Sequence, residues 1–280
     1  SSRIRHTRSC ILSRGLGDVY KRQALDGAHI DAATFTTTRV ISGALTLGII
    51  MLPHWRNQER SVVNWRSATM LSGYMIFFSF AYISLSAGTG AIILFGAVQL
   101  TMFLVALWEG ERFPLLSWFG LLLAVVGLIY LVLPGVTAPD PVSAILMAVA
   151  GISWGAYSLL GRGETNPLEA TANNFIYSVP VVLFVSLLFL SDYYSSLYGM
   201  LLAVASGVLA SGLGYAIWYA ALRGLTATRA ATVQLSVPVI AAFGGVILLS
   251  ERITLRLLLA SALILGGIAI VLAQRTQKTS

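Results

Sequence analysis

Leu225-Thr-Ala-Thr-Arg-Ala-Ala-Thr-Val-Gln-Leu-Ser-Val-Pro238 opens a stretch that continues as an apolar, Gly-rich run to Ser250 and turns through Glu251-Arg252-Ile253-Thr254. A second apolar run follows, closing on Gly266-Gly267 and Arg275. Each run is long enough to cross a bilayer, for which about 20 mostly apolar residues suffice, and charge gathers in the short turn between them. The same design occurs earlier. Leu85-Ser-Ala-Gly-Thr-Gly-Ala91 opens it, Glu111-Arg112-Phe113-Pro114 turns it, and an apolar run from Leu115 to Leu133 closes it, at a constant offset of 140 residues (225 − 85 = 140).

Across 85–133 against 225–273, nine of 49 positions are identical, a modest score for two apolar segments. The specific part is Glu111-Arg112 against Glu251-Arg252, because charges are scarce in this chain. Leu85, Ala87 and Ala91 against Leu225, Ala227 and Ala231, and Gly127 against Gly267, add weight.

The 280 residues are 57% hydrophobic and 10% charged, with a mean hydropathy of +0.81. Soluble domains carry about 25% charged residues, so the composition is that of an integral membrane protein. The formal net charge of +7 is misleading, because Arg3, Arg5, Arg8, Arg14, Lys21 and Arg22 against Asp18 give +5 within residues 1–23, leaving +7 − 5 = +2 elsewhere. A nucleic-acid partner, which needs a basic face, therefore has no support. Cys10 is the only cysteine, so neither a disulfide within the chain nor a cysteine-based metal site arises.

Residues 1–23 contain neither a spanning run nor the apolar core and cleavage site of a signal peptide. They resemble a translated library adapter ending in Val19-Tyr-Lys-Arg-Gln23, and read as a non-native or disordered segment. Beyond them the hydropathy predicts nine spans, near 35–53, 68–86, 88–108, 115–133, 142–161, 173–190, 199–222, 228–250 and 255–273. The expected fold class is an all-α integral membrane protein with nine transmembrane helices. The second half, 142–275, has five spans and the first, 24–134, only four. The counterpart of 142–161 falls on the polar segment at 4–23. The expectation is a ten-helix inverted-repeat bundle truncated by its first helix, with Asp31-Ala-Ala-Thr34 and Glu169-Ala-Thr-Ala172 in register before equivalent spans.

One set of loops holds Arg56, Arg60, Arg66, Arg112, Arg162, Arg223, Arg229, Arg275 and Lys278; the other holds Arg252 and Arg256, with Arg39 just inside a span. The richer set is expected to be cytoplasmic, and the C-terminus with it. Five spans per repeat make the halves enter the membrane in opposite senses, the arrangement in which secondary transporters place a substrate site near the midplane.

No enzyme motif is present: there is no metal-ligand spacing, phosphate-binding Gly loop or nucleophile constellation, and no cofactor is implied. Every acid falls at a span end or in a loop, among them Glu109, Glu111, Asp192 and Glu251. Glu111 and Glu251 each stand three residues before Pro114 or Thr254, residues suited to starting the next helix, and read as hairpin fasteners. Arg39, the deepest charge, about one turn into its span, either faces the cavity or snorkels to the interface.

The cavity candidates are otherwise uncharged. Gly207, Ser211, Tyr215 and Trp218 share one face of 199–222 at helical spacing, and Gln234 heads a stripe centred on Pro238. Gln99 is the polar residue of 88–108; Trp154 and Tyr157 lie in 142–161, Asn174 and Tyr177 in 173–190, and Tyr74 in 68–86. The aromatics could equally serve the interfacial belt, and the glutamines could hydrogen-bond between helices. The small stripe Ala262, Gly266, Ala269 and Ala273 reads as a helix-contact surface.

Leu249-Ser-Glu251-Arg-Ile-Thr254, the preceding Val237-Pro238-Val239 and the following Gly266-Gly267 resemble the end of an EamA-type repeat of the drug/metabolite transporter superfamily. Trp154-Gly155 resembles the start of one. The resemblance spans about residues 31–275. It implies ten helices in two inverted repeats, cytoplasmic termini, and movement of small metabolites, often the export of amino acids or related compounds. The expectation is a secondary transporter of the inner membrane with a small-molecule substrate, in contact with the lipid bilayer and as a possible homodimer. A truncated inactive fragment or a non-transporting scaffold is the alternative.

Overall fold

The computed structural model describes residues 29–57, 64–108, 114–132, 138–161, 164, 166–214 and 253–275. Among them the chain is all-helical. The helices are α1 (Ala32–Asn57), α2 (Trp65–Ala81), α3 (Ala87–Trp108), α4 (Leu115–Val132), α5 (Pro141–Leu160), α6 (Pro167–Leu188), α7 (Leu197–Ala205) and α8 (Leu255–Arg275). A 3₁₀ turn covers Leu190–Asp192, and α7 continues directly into a π-helical segment at Ser206–Leu213. Each of the nine predicted spans except 228–250 overlaps one of these helices; that span, the polar segment at 1–23 and both Glu-Arg turns lie outside the described residues. Four helices (α1, α3, α5 and α6) have the length and composition to cross a membrane.

Side-chain caps set several helix starts. A cap supplies an oxygen to one of the backbone N–H groups that a helix cannot bond internally. Asn64 receives Ser67 N–H at 3.2 Å, Asp140 receives Ser143 N–H at 2.8 Å, and Asn166 receives Glu169 N–H at 3.4 Å. Ser196 receives Gly199 N–H at 3.1 Å and Thr254 receives Leu257 N–H at 3.1 Å, so Thr254 does start the last helix.

Caps also explain where the predicted boundaries miss. The span placed at 173–190 begins at Pro167, because Asn166 caps it and Pro167 occupies the first turn, where its missing N–H costs nothing. Pro53-His54, expected as a turn, lies inside the last turns of α1. Residues 82–86, read as span, form a tight hydrogen-bonded turn from Tyr82 to Leu85, after which Ser86 receives Thr89 N–H at 3.2 Å.

The outside of the bundle is apolar. Leu45, Ile49, Leu104, Trp108, Leu115, Leu122, Ile145, Leu187 and Leu258 are exposed, while Thr36, Arg39, Ser79, Asn174, Ser178 and Ser211 are buried. Apolar surface facing outward with polar side chains within suits lipid as the surrounding solvent.

Within the bundle α1 packs on α6, α2 on α5 and α6, α3 on α5, and α4 on α8; α1 also crosses the π segment. The α1–α6 pair is antiparallel. Asp31 N–H donates to the Tyr194 carbonyl beyond the end of α6, and His54 near the end of α1 meets Glu169 at the start of α6.

Glycines let these helices approach, as small residues do inside membranes. A Cβ at Gly120 would stand 2.6 Å from the Gly267 carbonyl oxygen, and one at Gly151 would stand 2.6 Å from the Leu94 carbonyl oxygen. The α8 contact face is therefore Ala260, Ile264, Gly267 and Ile268, all buried. The stripe expected to make that contact is turned the other way: Ala262, Gly266 and Ala269 are exposed, and nothing lies within 4 Å of a Cβ at Gly266.

Candidate functional site

The site is built around Arg39, whose depth is set by the start of α1. Thr34 N–H donates to Asp31 Oδ1 at 2.8 Å and Tyr194 N–H to Asp31 Oδ2 at 3.2 Å, so the helix begins at Ala32. Arg39 then sits about two turns in rather than one. It is 5% exposed and does not snorkel. Its Nε donates to the Ser211 hydroxyl at 3.2 Å, and its guanidinium carbon lies 5.8 Å from the centre of the Phe78 ring, within cation–π range. Nη1 is buried without a hydrogen-bond partner, as is Ser206 Oγ on the segment that α1 crosses.

That segment is where the chain departs from regular geometry. Ser206–Leu213 is π-helical, with i→i+5 bonding, a geometry found mostly as short bulges and often at functional sites. Its glycines lie against α1. A Cβ at Gly207 would collide with Ser42 Oγ and the Arg39 carbonyl oxygen, and one at Gly212 would stand 2.5 Å from Thr46 Cγ2. From α1, a Cβ at Gly43 would stand 3.0 Å from Phe175 of α6 and 3.2 Å from Ser211 Cβ. Three helical segments thus meet at the level of Arg39.

An aromatic chain leads away from Arg39. Phe78 lies 5.1 Å from Tyr74, Tyr74 4.8 Å from Trp154, and Trp154 5.5 Å from Tyr157, between ring centres. The Tyr157 hydroxyl shares a 3.2 Å hydrogen bond with Thr171 of α6. Of the residues singled out from sequence, the structure brings Arg39, Tyr74, Trp154 and Tyr157 together, linked through Phe78. Phe78 is not among the residues singled out from sequence. Its position four residues after Tyr74, on the same helix face, was the available signal.

Asn174 is buried on the same helix as Thr171, and its carbonyl accepts from Ser178 at 2.7 Å. Tyr177 is elsewhere, half-buried and edge-on to the exposed Trp65 at 5.1 Å. Gln99 is half-buried on α3 and is not part of the aromatic chain. Tyr215, Trp218 and Gln234 lie outside the described residues. A separate open cleft of about 650 Å³, lined by Trp65, Arg66, Thr69, Met70, Val105, Ala156, Leu159 and Leu160, contains none of the residues singled out.

The electrostatics around Arg39 are one-sided. No Asp or Glu occurs in 32–58, 60–108, 112–139, 141–163, 170–191 or 193–250. Glu169, at the start of α6, is buried and engaged by His54 Nε2 at 3.4 Å and by the Asn166 amide at 3.3 Å. Asp31 is used at the start of α1. Among the described residues no group of three or more His, Cys, Asp or Glu could hold a metal ion. The arrangement offers a fixed cation with a free N–H, beside aromatic side chains.

A helical bundle with an apolar exterior and polar side chains buried within it is an integral membrane protein by class. The model of the EamA-like transporter family matches residues 142–273. An uncharacterized protein of Pseudomonas aeruginosa is 46% identical over 254 residues, covering 91% of this chain and 88% of its own. An uncharacterized transporter of Archaeoglobus fulgidus is 28% identical over 213 residues (73% and 75%), and the uncharacterized transporter YwfM of Bacillus subtilis 25% over 271 residues (92% and 90%). One protein solved by crystallography shares the fold, with a TM-score of 0.68 at 19% identity over 100% of this chain and 99% of that one. The chain belongs to the EamA-like transporter family and is a multi-pass membrane transporter.

Proposed function

We propose that the chain is a secondary transporter that exports small polar metabolites, amino acids or related compounds among them, across the inner membrane by alternating access between two inverted repeats. The observation that carries this reading is the buried Arg39, with Nη1 unpartnered, where α1, α6 and the π segment meet. In the repeat register, Asp31 of α1 corresponds to Glu169 of α6, so these helices are equivalent elements of the two halves and Arg39 lies at their junction. Arg39, Tyr74, Trp154, Tyr157 and Asn174 are the substrate-facing candidates in this account, with the C-terminus cytoplasmic.

Enclosure of Arg39 also suits such a carrier. A side chain 5% exposed meets solute only when the surrounding helices part, and in an alternating-access cycle they part on one side at a time. The test is efflux from proteoliposomes containing the full chain and preloaded with a labelled metabolite panel. Solute loss faster than from protein-free vesicles is expected; retention of every solute would overturn the proposal.

A further inference from the structure

We infer that the transported solute is a net anion, an organic acid held through its carboxylate by Arg39 Nη1, with its apolar body toward the aromatic chain headed by Phe78 and Tyr74. This rests on the transporter reading and narrows it, because a net anion is a different class from a zwitterion.

A guanidinium does not deprotonate in proteins, so Arg39 carries its charge wherever it lies. A buried, uncompensated ion is strongly disfavoured, and a stable fold therefore needs a counter-charge or a polar cage. Ser211 and the Phe78 ring supply part of the cage, leaving Nη1 unpartnered. No acid in 32–58, 60–108 or 193–250 can supply the charge. Asp31 and Glu169 are engaged at helix starts by Thr34, Tyr194, His54 and Asn166. An incoming oxyanion would meet a donor already oriented by Ser211, and charge-assisted N–H···O bonds to carboxylates are about twice as strong as neutral ones.

The same inventory argues against zwitterions. A zwitterion brings an ammonium group as well as a carboxylate, and the one acid inside the described helices, Glu169, is already engaged by His54 and Asn166. Its positive group would enter a site that already holds one.

The experiment uses the purified full chain in a chloride-free gluconate buffer, titrated with probes that share a body but differ in charge: benzoate, benzamide, benzylamine and phenylglycine. Calorimetry reads binding and thermal unfolding reads stabilisation. Benzoate is expected to bind at least tenfold more tightly than benzamide or phenylglycine, and benzylamine not to bind. Arg39→Gln should lose at least tenfold in benzoate affinity and Arg39→Lys less. Ser211→Ala, which keeps the charge but removes its holder, should lose a few-fold. Should Arg39→Gln fail to fold, Arg39→Lys and Ser211→Ala carry the test.

Equal binding of benzoate and benzamide would overturn the inference, as would unchanged benzoate affinity in these variants. Stabilisation by added chloride with no competition from benzoate would also overturn it, marking a resident inorganic ion. Efflux of zwitterions or neutral solutes from proteoliposomes with no benzoate binding would reject the anion and leave the transporter standing. Benzoate binding with no movement of any solute would reject the transporter instead.

Discussion

Arg39 donates from Nε to the Ser211 hydroxyl across 3.2 Å, joining α1 to a π-helical segment that the glycines at 207 and 212 bring close to it. The bond depends on that closeness. Gly207→Ala would place a methyl group on Ser42 Oγ and the Arg39 carbonyl oxygen, and overpacking of this kind costs about 1–3 kcal/mol. Gly266→Ala adds the same methyl group where nothing lies within 4 Å and should be neutral. Thermal unfolding in detergent should lower the midpoint for the first and not the second; equal midpoints would contradict the close crossing.

The ends of α1 and α6 are fastened by the buried Glu169, which His54 and Asn166 both engage. Glu169→Ala removes the carboxylate that Asn166 and His54 share but leaves their bond to each other, and should destabilise by roughly 0.5–1.5 kcal/mol, the net worth of a typical hydrogen bond. His54→Ala should cost less, since Asn166 still serves the carboxylate. The two midpoints, measured side by side, check the order.

Asp140 caps α5, and hydrogen bonds from the Ser143 N–H and hydroxyl hold its carboxyl below the ordinary 3.8. A depressed carboxylate stabilises the fold fully above its unfolded pKa, and that contribution is lost as pH falls through the lower folded value. The advantage of wild type over Asp140→Ala should therefore be constant near neutrality and shrink below about pH 3.8. An advantage unchanged at lower pH would count against an ionised cap.

Much of the bundle was legible in the sequence because lipid demands long apolar runs, and these are read directly. Four features were not. Arg39 was placed too shallow because the capping role of Asp31, which starts α1 at Ala32, is a local hydrogen-bond choice that hydropathy does not see. The π register at 206–213 is written by no residue type; it accompanies glycines that press on α1, a tertiary fact. Likewise, periodicity found the small stripe at Ala262 and Gly266 but could not say which face of α8 meets α4, and it is Gly267 that does. The aromatic residues were found individually, whereas their linkage needed Phe78.

Orientation rests on the loop charges alone. Reporter fusions at Asp140 and Asp192 are expected to read outside, in keeping with cytoplasmic loops rich in arginine. A cytoplasmic signal at either position would reverse the assignment.

Counterflow distinguishes an alternating-access carrier from a channel or scaffold. Proteoliposomes preloaded with excess unlabelled solute, diluted into a trace of the labelled compound, should accumulate label transiently above equilibrium, because a carrier exchanges one solute for another at a single site. A channel or scaffold cannot do this. Label that only equilibrates, or never enters beyond the level of protein-free vesicles, would contradict the account.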